Sequence, residues 1–177
     1  MSHHLFTSPL IKVPTPNFEE FLKRTIERMS PSTLINSYGK GKGLDAHLLE
    51  RTWQMVWYRT ATTVAPKDTS VSPDVGATFS ANGFLDFFVN SDYCWGIELT
   101  REGNRLKEHA ERFVNGGKYD KIPMKNWAII DFRCYQKEVK ELKTNFWYVL
   151  YANDYKSVTI KRSGQQDEVL FLKGDKV

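Results

Sequence analysis

Two short apolar segments, each interrupted by one acidic residue, constrain this chain more than any other feature. Residues 83–89 read GFLDFFV and residues 94–100 read CWGIELT, and both have the aromatic and branched residues typical of β-strands. Asp86 lies in the middle of the first segment and Glu98 in the middle of the second. A buried carboxylate is costly unless it is paired or binds a cation. Two interpretations follow: the acids meet on paired strands and hold a divalent metal ion, or each is bonded to an arginine or lysine.

The composition indicates a globular domain with an aromatic-rich core. Of the 177 residues, 41% are hydrophobic and 14% aromatic. At this length about 70% of the unfolded surface can be buried without disulfides or structural metals. The net charge of +4 is compatible with a polyanionic partner but does not by itself indicate one. No apolar run reaches the length of a membrane span and no leader pattern is visible, so we expect no membrane association.

Apolar periodicity predicts an α/β fold in which helices flank a sheet. Asn17 is expected to cap a helix that ends near Met29, and Ser30-Pro31 to stop it or to start a further turn. The remaining predicted elements are a helix at 46–64 capped by Asp45, a short strand at 77–80 inside a loop at 65–82, the two acidic strands, a helix at 104–114, and strands at 127–133, 146–152, 157–162 and 168–173. We expect one domain over residues 1–177, with 1–44 as a helical extension and 45–177 as the core.

Glu50 and Gln54 are one turn apart on the helix predicted at 46–64, so they lie on the same side of it. One interpretation is a polar pair at the solvent edge. The other is that both face the same cavity as Asp86 and Glu98. The sequence leaves both open.

Charged residues further along the chain have ordinary structural interpretations. The helix at 104–114 is expected to bury Leu106, Ala110, Phe113 and Val114. His109 either packs in this helix or hydrogen-bonds a ligand, and Lys107 has the spacing to pair with Glu111. Asp131 is expected to pair with Arg133 or another neighbour rather than to bind a metal.

The order of these residues resembles the PD-(D/E)XK nuclease superfamily, in which an Asp on one strand is followed by (D/E)-x-K on the next. The longer run WGIELTREGNRLKEHAERF, followed by GKYDKIP and WAIIDFR, resembles the nuclease-like C-terminal domain of Crinkler-type and RHS-related effector proteins. The upstream pieces LLERTWQMVWYRTA and SPDVGATF fit the same resemblance. It implies a restriction-endonuclease-like mixed β-sheet flanked by helices.

The resemblance also implies a metal site for Mg²⁺ or Mn²⁺. Asp86 and Glu98 would be its acidic ligands, and the carbonyl of Leu99 would add a third. Glu50 would match the helix acid that some of these folds add to the site, with Gln54 one turn further on. These residues would form the catalytic centre.

The chain departs from the family pattern at Thr100, where the usual motif has a lysine that orients the attacking water. Losing one such group costs on the order of a hundredfold in rate. Lys107 on the following helix is the better candidate to replace it, and Arg105 is the other. Arg101, Arg105 and His109 are the expected substrate-binding residues.

These implications give two hypotheses for function. The first is a Mg²⁺-dependent nuclease acting on DNA, as an effector in the nucleus of a host cell, with a nucleotide-hydrolysing module or a host protein as a partner. The second is a decayed nuclease scaffold that binds nucleic acid or protein without turnover. A third use, in which the aromatic-rich strands dock a protein, stays open from sequence. Under the first hypothesis, several basic residues would contact phosphates: Lys118, Lys121, Lys125, Lys161 and Arg162. The alternative for each, which the sequence favours, is a solvated surface charge.

Overall fold

The computed structural model describes residues 17–38, 46–90 and 92–174, which form four α-helices and one seven-stranded sheet. The helices are α1 (Phe18–Glu27), α2 (Pro31–Tyr38), α3 (Glu50–Val64) and α4 (Leu106–Glu111). The strands are β1 (Val71–Val75), β2 (Leu85–Val89), β3 (Trp95–Arg101), β4 (Asn126–Cys134), β5 (Phe146–Tyr151), β6 (Ser157–Lys161) and β7 (Glu168–Phe171). The predicted α/β class is confirmed. No helix in the described part of the chain is both long and apolar enough to cross a bilayer.

The strands lie side by side in the order in which they occur in the chain. β1, β2 and β3 are antiparallel neighbours, β3, β4 and β5 run parallel, and β5, β6 and β7 are antiparallel again. Parallel neighbours need a crossover connection, and α4 lies within the one between β3 and β4. The sheet is therefore mixed, with its parallel junctions at the buried centre.

Helices α1 and α3 pack on one face of this sheet. Phe21 of α1 contacts the rings of Trp57 and Trp95, and Trp53 of α3 stacks on Phe132 with 4.4 Å between ring centroids. Phe21 is fully buried in one cluster with residues of β3, β4 and β5. The described part of the predicted N-terminal extension therefore belongs to the main core.

The helix starts are set by local chemistry. The side chain of Asn17 accepts a hydrogen bond from the amide of Glu20 at 2.8 Å, so the predicted cap of α1 is confirmed. Pro31 begins α2, in the first turn, where a missing N–H does no harm. Helix α3 begins at Glu50 rather than at residue 46, because Ala46 has a φ of +60° that a helix cannot use. The predicted cap Asp45 lies outside the described residues.

The strand predicted at residues 77–80 is wrong. Residues Ala77–Phe79 form a 3-10 turn, and the strand of this region is β1, which runs earlier from Val71 to Val75. β1 is an edge strand, where Pro73 is tolerated because its missing N–H can face outward. The prolines and small polar residues that predict a loop here are compatible with an edge strand too.

Helix α4 is shorter than predicted. It spans six residues, and Arg105 before it has a φ of +49°, which prevents an earlier start. The predicted buried stripe is also wrong in part, because Val114 is 57% exposed whereas His109 is buried. The helix turns His109 toward the sheet because an acidic residue of β3 lies there.

Candidate active site

Asp86 and Glu98 lie next to each other on β2 and β3. The two strands are antiparallel with Phe87 opposite Ile97, so one step further the register sets Asp86 opposite Glu98. The amide of Leu99 donates to Asp86 Oδ2 at 2.7 Å, and the amide of Asp86 lies 3.5 Å from Glu98 Oε2. Side chain to backbone contacts thus join the strands at this point, and both acids belong to one site.

Glu98 is held by three side chains on the α4 side of the sheet. Glu98 is 1% exposed. Its Oε1 lies 2.7 Å from His109 Nδ1 and 2.6 Å from a terminal nitrogen of Arg112. Oε2 lies 2.9 Å from the hydroxyl of Tyr119. Arg112 supplies the opposite charge that a buried carboxylate requires. His109 therefore bonds a site acid, which the sequence left open.

The Tyr119 hydroxyl can change its acceptor. It lies 2.8 Å from the backbone carbonyl of Phe84 as well as 2.9 Å from Glu98 Oε2, and it has one proton to donate. When Tyr119 donates to Phe84, Oε2 regains a lone pair. Oε2 is the oxygen on the Asp86 side, whereas Oε1 is committed to His109 and Arg112.

Helix α3 brings Glu50 and Gln54 to the same place. Gln54 is buried, and hydrogen bonding by its side chain lowers the pKa of Asp86, against the larger effect of burial. Burial raises the pKa of Glu50, and the charge of Glu98 adds to the rise, while the neighbouring His109, Arg105 and Arg101 oppose it. The structure therefore agrees with the second interpretation, in which Glu50 and Gln54 face the same site as Asp86 and Glu98.

The electrostatics of Asp86 are those of an uncompensated acid. Burial, followed by the charge of Glu98, raises its pKa to about 8, and the hydrogen bond from the Leu99 amide offsets only part of this. No lysine or arginine among the described residues forms an ion pair with Asp86. A cation bound here would replace the proton that Asp86 otherwise retains.

The position of the missing motif lysine is filled by a structural hydrogen bond. The Thr100 hydroxyl, which is fully buried, donates to Asp131 Oδ1 at 3.1 Å. Asp131 Oδ2 receives two bonds from Arg133, at 2.6 and 2.9 Å, so the predicted Asp131–Arg133 pair is confirmed. The amide of Gly103 also donates to Asp131, at 3.0 Å. Thr100 thus belongs to a network that joins β3 to β4.

The structure does not bring Lys107 to the acids. Its side chain is 88% exposed and lies 3.9 Å from Glu111, which is the surface pair that its spacing allows. The cation beside Glu98 is Arg112 instead, three residues after His109 and on the same side of the helix end. Arg112 and Tyr119 are not among the site residues predicted from the sequence, although the spacing from His109 indicates Arg112.

Arginines gather at an open cleft between the start of α3 and the end of β3. The cleft has a volume of about 620 Å³ and is lined by Glu50 together with Arg101 and Arg105, two of the predicted substrate-binding residues. Arg51, Asn104 and Leu49 complete its lining. Arg105 is well exposed and lies 3.9 Å from Glu108. This cleft has the charge to receive a phosphate group, and Glu50 is the one site acid among its described lining residues.

The side chains at this site can supply two of the ligands that a magnesium ion needs. Within residues 17–38, 46–90 and 92–174, no group of three or more His, Cys, Asp and Glu side chains is arranged to hold a metal. Mg²⁺ is often held by one or two carboxylates and keeps its remaining waters. Asp86 and Glu98 Oε2 can supply these two, and the resemblance adds the carbonyl of Leu99, whose amide already bonds Asp86.

Comparisons with models of protein families, with curated proteins and with solved structures gave no significant match.

Proposed function

We propose that this chain is a nuclease that hydrolyses phosphodiester bonds with Mg²⁺ or Mn²⁺, on a restriction-endonuclease-like fold. The observation that carries the proposal is the meeting of Asp86 and Glu98 on adjacent strands. A cleft in which Glu50 lies among arginines supports it. DNA is the substrate expected from the resemblance of the motif run. The proposed fold rests on that resemblance and on the mixed sheet with its crossover helix α4.

The bound cation would activate a water molecule and neutralise charge on the scissile phosphate. Asp86 and Glu98 would hold it. Gln54 fixes the orientation of the Asp86 carboxylate, and Glu50 lies close enough to affect the charge of the site. Arg101 and Arg105 line the cleft where phosphates of the substrate would lie.

Arg112 is the strongest candidate for the work of the missing lysine. Burial alone would lower its pKa, but its hydrogen bond to Tyr119 and the charge of Glu98 raise the pKa above its usual value, so it stays cationic. Its terminal nitrogen lies 2.6 Å from the Glu98 carboxylate. A fixed cation at that distance from a metal ligand is positioned to stabilise negative charge that develops on the phosphate.

A cleavage assay with metal control tests this function. Purified protein is incubated with linear and supercoiled DNA and with RNA, in EDTA, Mg²⁺ or Mn²⁺. We expect cleavage only with metal, abolished in Asp86→Asn and in Glu98→Gln. Asp120→Asn is a matched control, because Asp120 is exposed and lies on the connection between α4 and β4. Cleavage that survives both site variants, or that persists in EDTA, would contradict the proposal.

A second function is favoured by a specific observation. Glu98 is already neutralised by Arg112, and Thr100 replaces the usual lysine. Both features suit a scaffold that has lost catalysis and binds nucleic acid or protein. This alternative predicts binding without turnover in any metal, and affinity that is unchanged in Glu98→Gln. The same assay, run beside a binding measurement, separates the two functions.

A further inference from the structure

A second basic groove lies at the other end of the parallel strands. It has a volume of about 660 Å³ and is lined by residues that precede β4 and β5, by the turn after β6 and by the start of α1. The arginine-lined cleft contains Arg101, the last residue of β3, and Arg105, which follows this strand. Glu98 lies three residues after Trp95, the first residue of β3, which is roughly 10 Å along the strand at about 3.3 Å per residue. Among the described residues, the groove shares no lining residue with the arginine-lined cleft, and neither Asp86 nor Glu98 lines it.

Three cations from three different connections line this groove. Lys125 precedes β4, Lys143 precedes β5 and Arg162 follows β6, whereas Glu19 is the one acid among the described lining residues. The rest of the polar lining is amide and hydroxyl side chains: Asn17, Asn126, Asn145, Gln165, Thr144 and Ser163. Cations and neutral hydrogen-bonding groups with little negative charge suit an anionic ligand with polar edges.

Two of these cations, Arg162 and Lys125, are held in place before any ligand arrives. The guanidinium of Arg162 lies over the ring of Trp147, 4.2 Å from its centroid, and 3.0 Å from a carboxylate oxygen of Glu19. Lys125 Nζ donates to the carbonyl of Asp92 at 2.6 Å. Side chains that are already ordered lose less entropy on binding.

Aromatic rings belong to the same lining. Trp127 is half-buried and stacks on Phe113 with 4.1 Å between centroids, and Phe18 at the start of α1 is also half-buried. The flat guanidinium of Arg162 adds a further surface on which a base can stack. Rings beside a row of cations are the usual means of binding unpaired bases and their backbone.

We propose that this groove binds single-stranded nucleic acid, with Lys125, Lys143 and Arg162 on the phosphates and the aromatic lining beside the bases. The inference concerns binding only. It would extend the proposed nuclease by a second contact with its substrate, yet it does not need hydrolysis to occur.

The test is fluorescence anisotropy of a labelled single-stranded oligonucleotide, in EDTA so that metal-dependent cleavage cannot occur. We expect Lys143→Ala and Lys125→Ala each to weaken binding several-fold, and to lower the slope of log affinity against log salt by about 0.7 per removed phosphate contact. Arg162→Gln is expected to act in the same direction, and circular dichroism checks that it folds. Lys67→Ala, which removes an exposed lysine outside the groove, is the matched control and should leave affinity unchanged.

Competition identifies the ligand. Excess duplex, a mononucleotide, inorganic phosphate and poly-glutamate are each added to the bound oligonucleotide, and we expect each to compete at least tenfold less well than the unlabelled strand. The proposal is overturned if wild-type protein does not bind at low salt, if Lys67→Ala weakens binding as much as Lys143→Ala, or if poly-glutamate or phosphate competes equally. If the wild-type protein does not cleave nucleic acid but binds the oligonucleotide through this groove, only the proposed nuclease activity is refuted.

Discussion

Asp86 lies half-buried beside Glu98 and Glu50, and its charge therefore depends on what else the site holds. Without a cation the site favours a proton, because burial and neighbouring negative charge raise the pKa of Asp86 to about 8. Such an arrangement costs stability at neutral pH, which is common where residues are selected for function rather than for folding. The hydrogen bonds from Gln54 and the Leu99 amide orient the group without removing that cost.

Replacing Asp86 by asparagine should change how stability depends on pH. In metal-free wild-type protein, the Asp86 pKa is about 8 when folded and near 3.8 when unfolded. Its neutral form is favoured by folding, so its contribution is fully present below about pH 4 and is lost as the pH rises toward 8. Asp86→Asn cannot ionise and should match the wild type at pH 4 but melt at a higher temperature at pH 8, by about 3 °C or more. Thermal unfolding in EDTA across this range measures it, and parallel curves would refute the assigned pKa.

Arg112 is expected to be the most important charge for keeping Glu98 buried. Arg112→Ala leaves that carboxylate without its cation, and should lower the free energy of unfolding by about 2–3 kcal/mol. Lys107→Ala removes the exposed cation of the same helix and should cost less than about 0.5 kcal/mol. Urea unfolding of both variants measures the difference. Adding Glu98→Gln to Arg112→Ala should recover part of the loss, and equal effects of the two single changes would contradict the ion pair's role.

At the residue level, sequence reasoning works where a local rule applies. The Asn17 cap and the Asp131–Arg133 pair depend on short spacings, and both were predicted. The choice of Arg112 over Lys107 depends on how α4 is rotated against the sheet, which no local spacing determines. Tyr119 comes from a connection after α4, so its contact with Glu98 is a product of the whole fold.

Among the secondary-structure elements, β3 carries two buried polar side chains that need partners, Glu98 and Thr100. Glu98 of β3 forms an acid cluster with Asp86 and Glu50. Two residues later, the Thr100 hydroxyl donates a hydrogen bond to Asp131 of β4. The parallel register aligns Thr100 with Asp131, and Arg133 closes the network from the same strand. A lysine at position 100 would have to place its side chain in a fully buried space, where the polar groups already have hydrogen-bond partners.

Introducing the lysine that the PD-(D/E)XK motif has at this position should therefore fail. Thr100→Lys breaks the hydrogen bond to Asp131 and buries a second cation near Arg133, so we expect a loss of at least about 2 kcal/mol in unfolding free energy and no gain in cleavage. Thr100→Val, which removes only the hydroxyl, is the control and should cost about 1 kcal/mol. Chemical denaturation and the metal-dependent assay give both readouts. A stable and more active Thr100→Lys protein would show that Arg112 does not replace the lysine.

The order of the helices and strands was largely predictable from the sequence. The bounds and types of individual elements were less predictable. Periodicity indicates α1 and the central strands correctly, because each buries a clear apolar pattern. β1 and the limits of α4 were mispredicted, since an edge strand with a proline and a six-residue helix that buries a histidine have weak local signals. In both places tertiary contacts decide the structure.

On the scale of the whole molecule, the helices and the sheet share one core. Phe21 of α1 lies between Trp57 of α3 and Trp95 of β3, so α1 stabilises the strand on which Glu98 lies. This differs from an appended helical extension, whose loss would leave the sheet unchanged. Stability of the acid cluster should therefore depend on a helix that contributes no residue to it.

Phe21→Ala should destabilise the entire domain. Removing a fully buried ring that contacts two tryptophans is expected to cost about 3–5 kcal/mol and to shift a single unfolding transition. Far-ultraviolet circular dichroism and tryptophan fluorescence should move together. Ile35→Ala is a control on α2, where the side chain is 46% exposed. Two separate transitions, with the sheet unaffected, would show that α1 is independent of the core.

The central claim is that Asp86 and Glu98 together bind a divalent cation, and calorimetric titration of Mn²⁺ and Mg²⁺ into the metal-free protein at pH 7 tests it most directly. We expect saturable binding to one site, with a heat that changes between buffers of different ionisation enthalpy because Asp86 releases its proton. Asp86→Asn and Glu98→Gln should lose this binding while Asp120→Asn retains it. No saturable heat in the wild-type protein, or equal binding by Asp86→Asn, would contradict the claim.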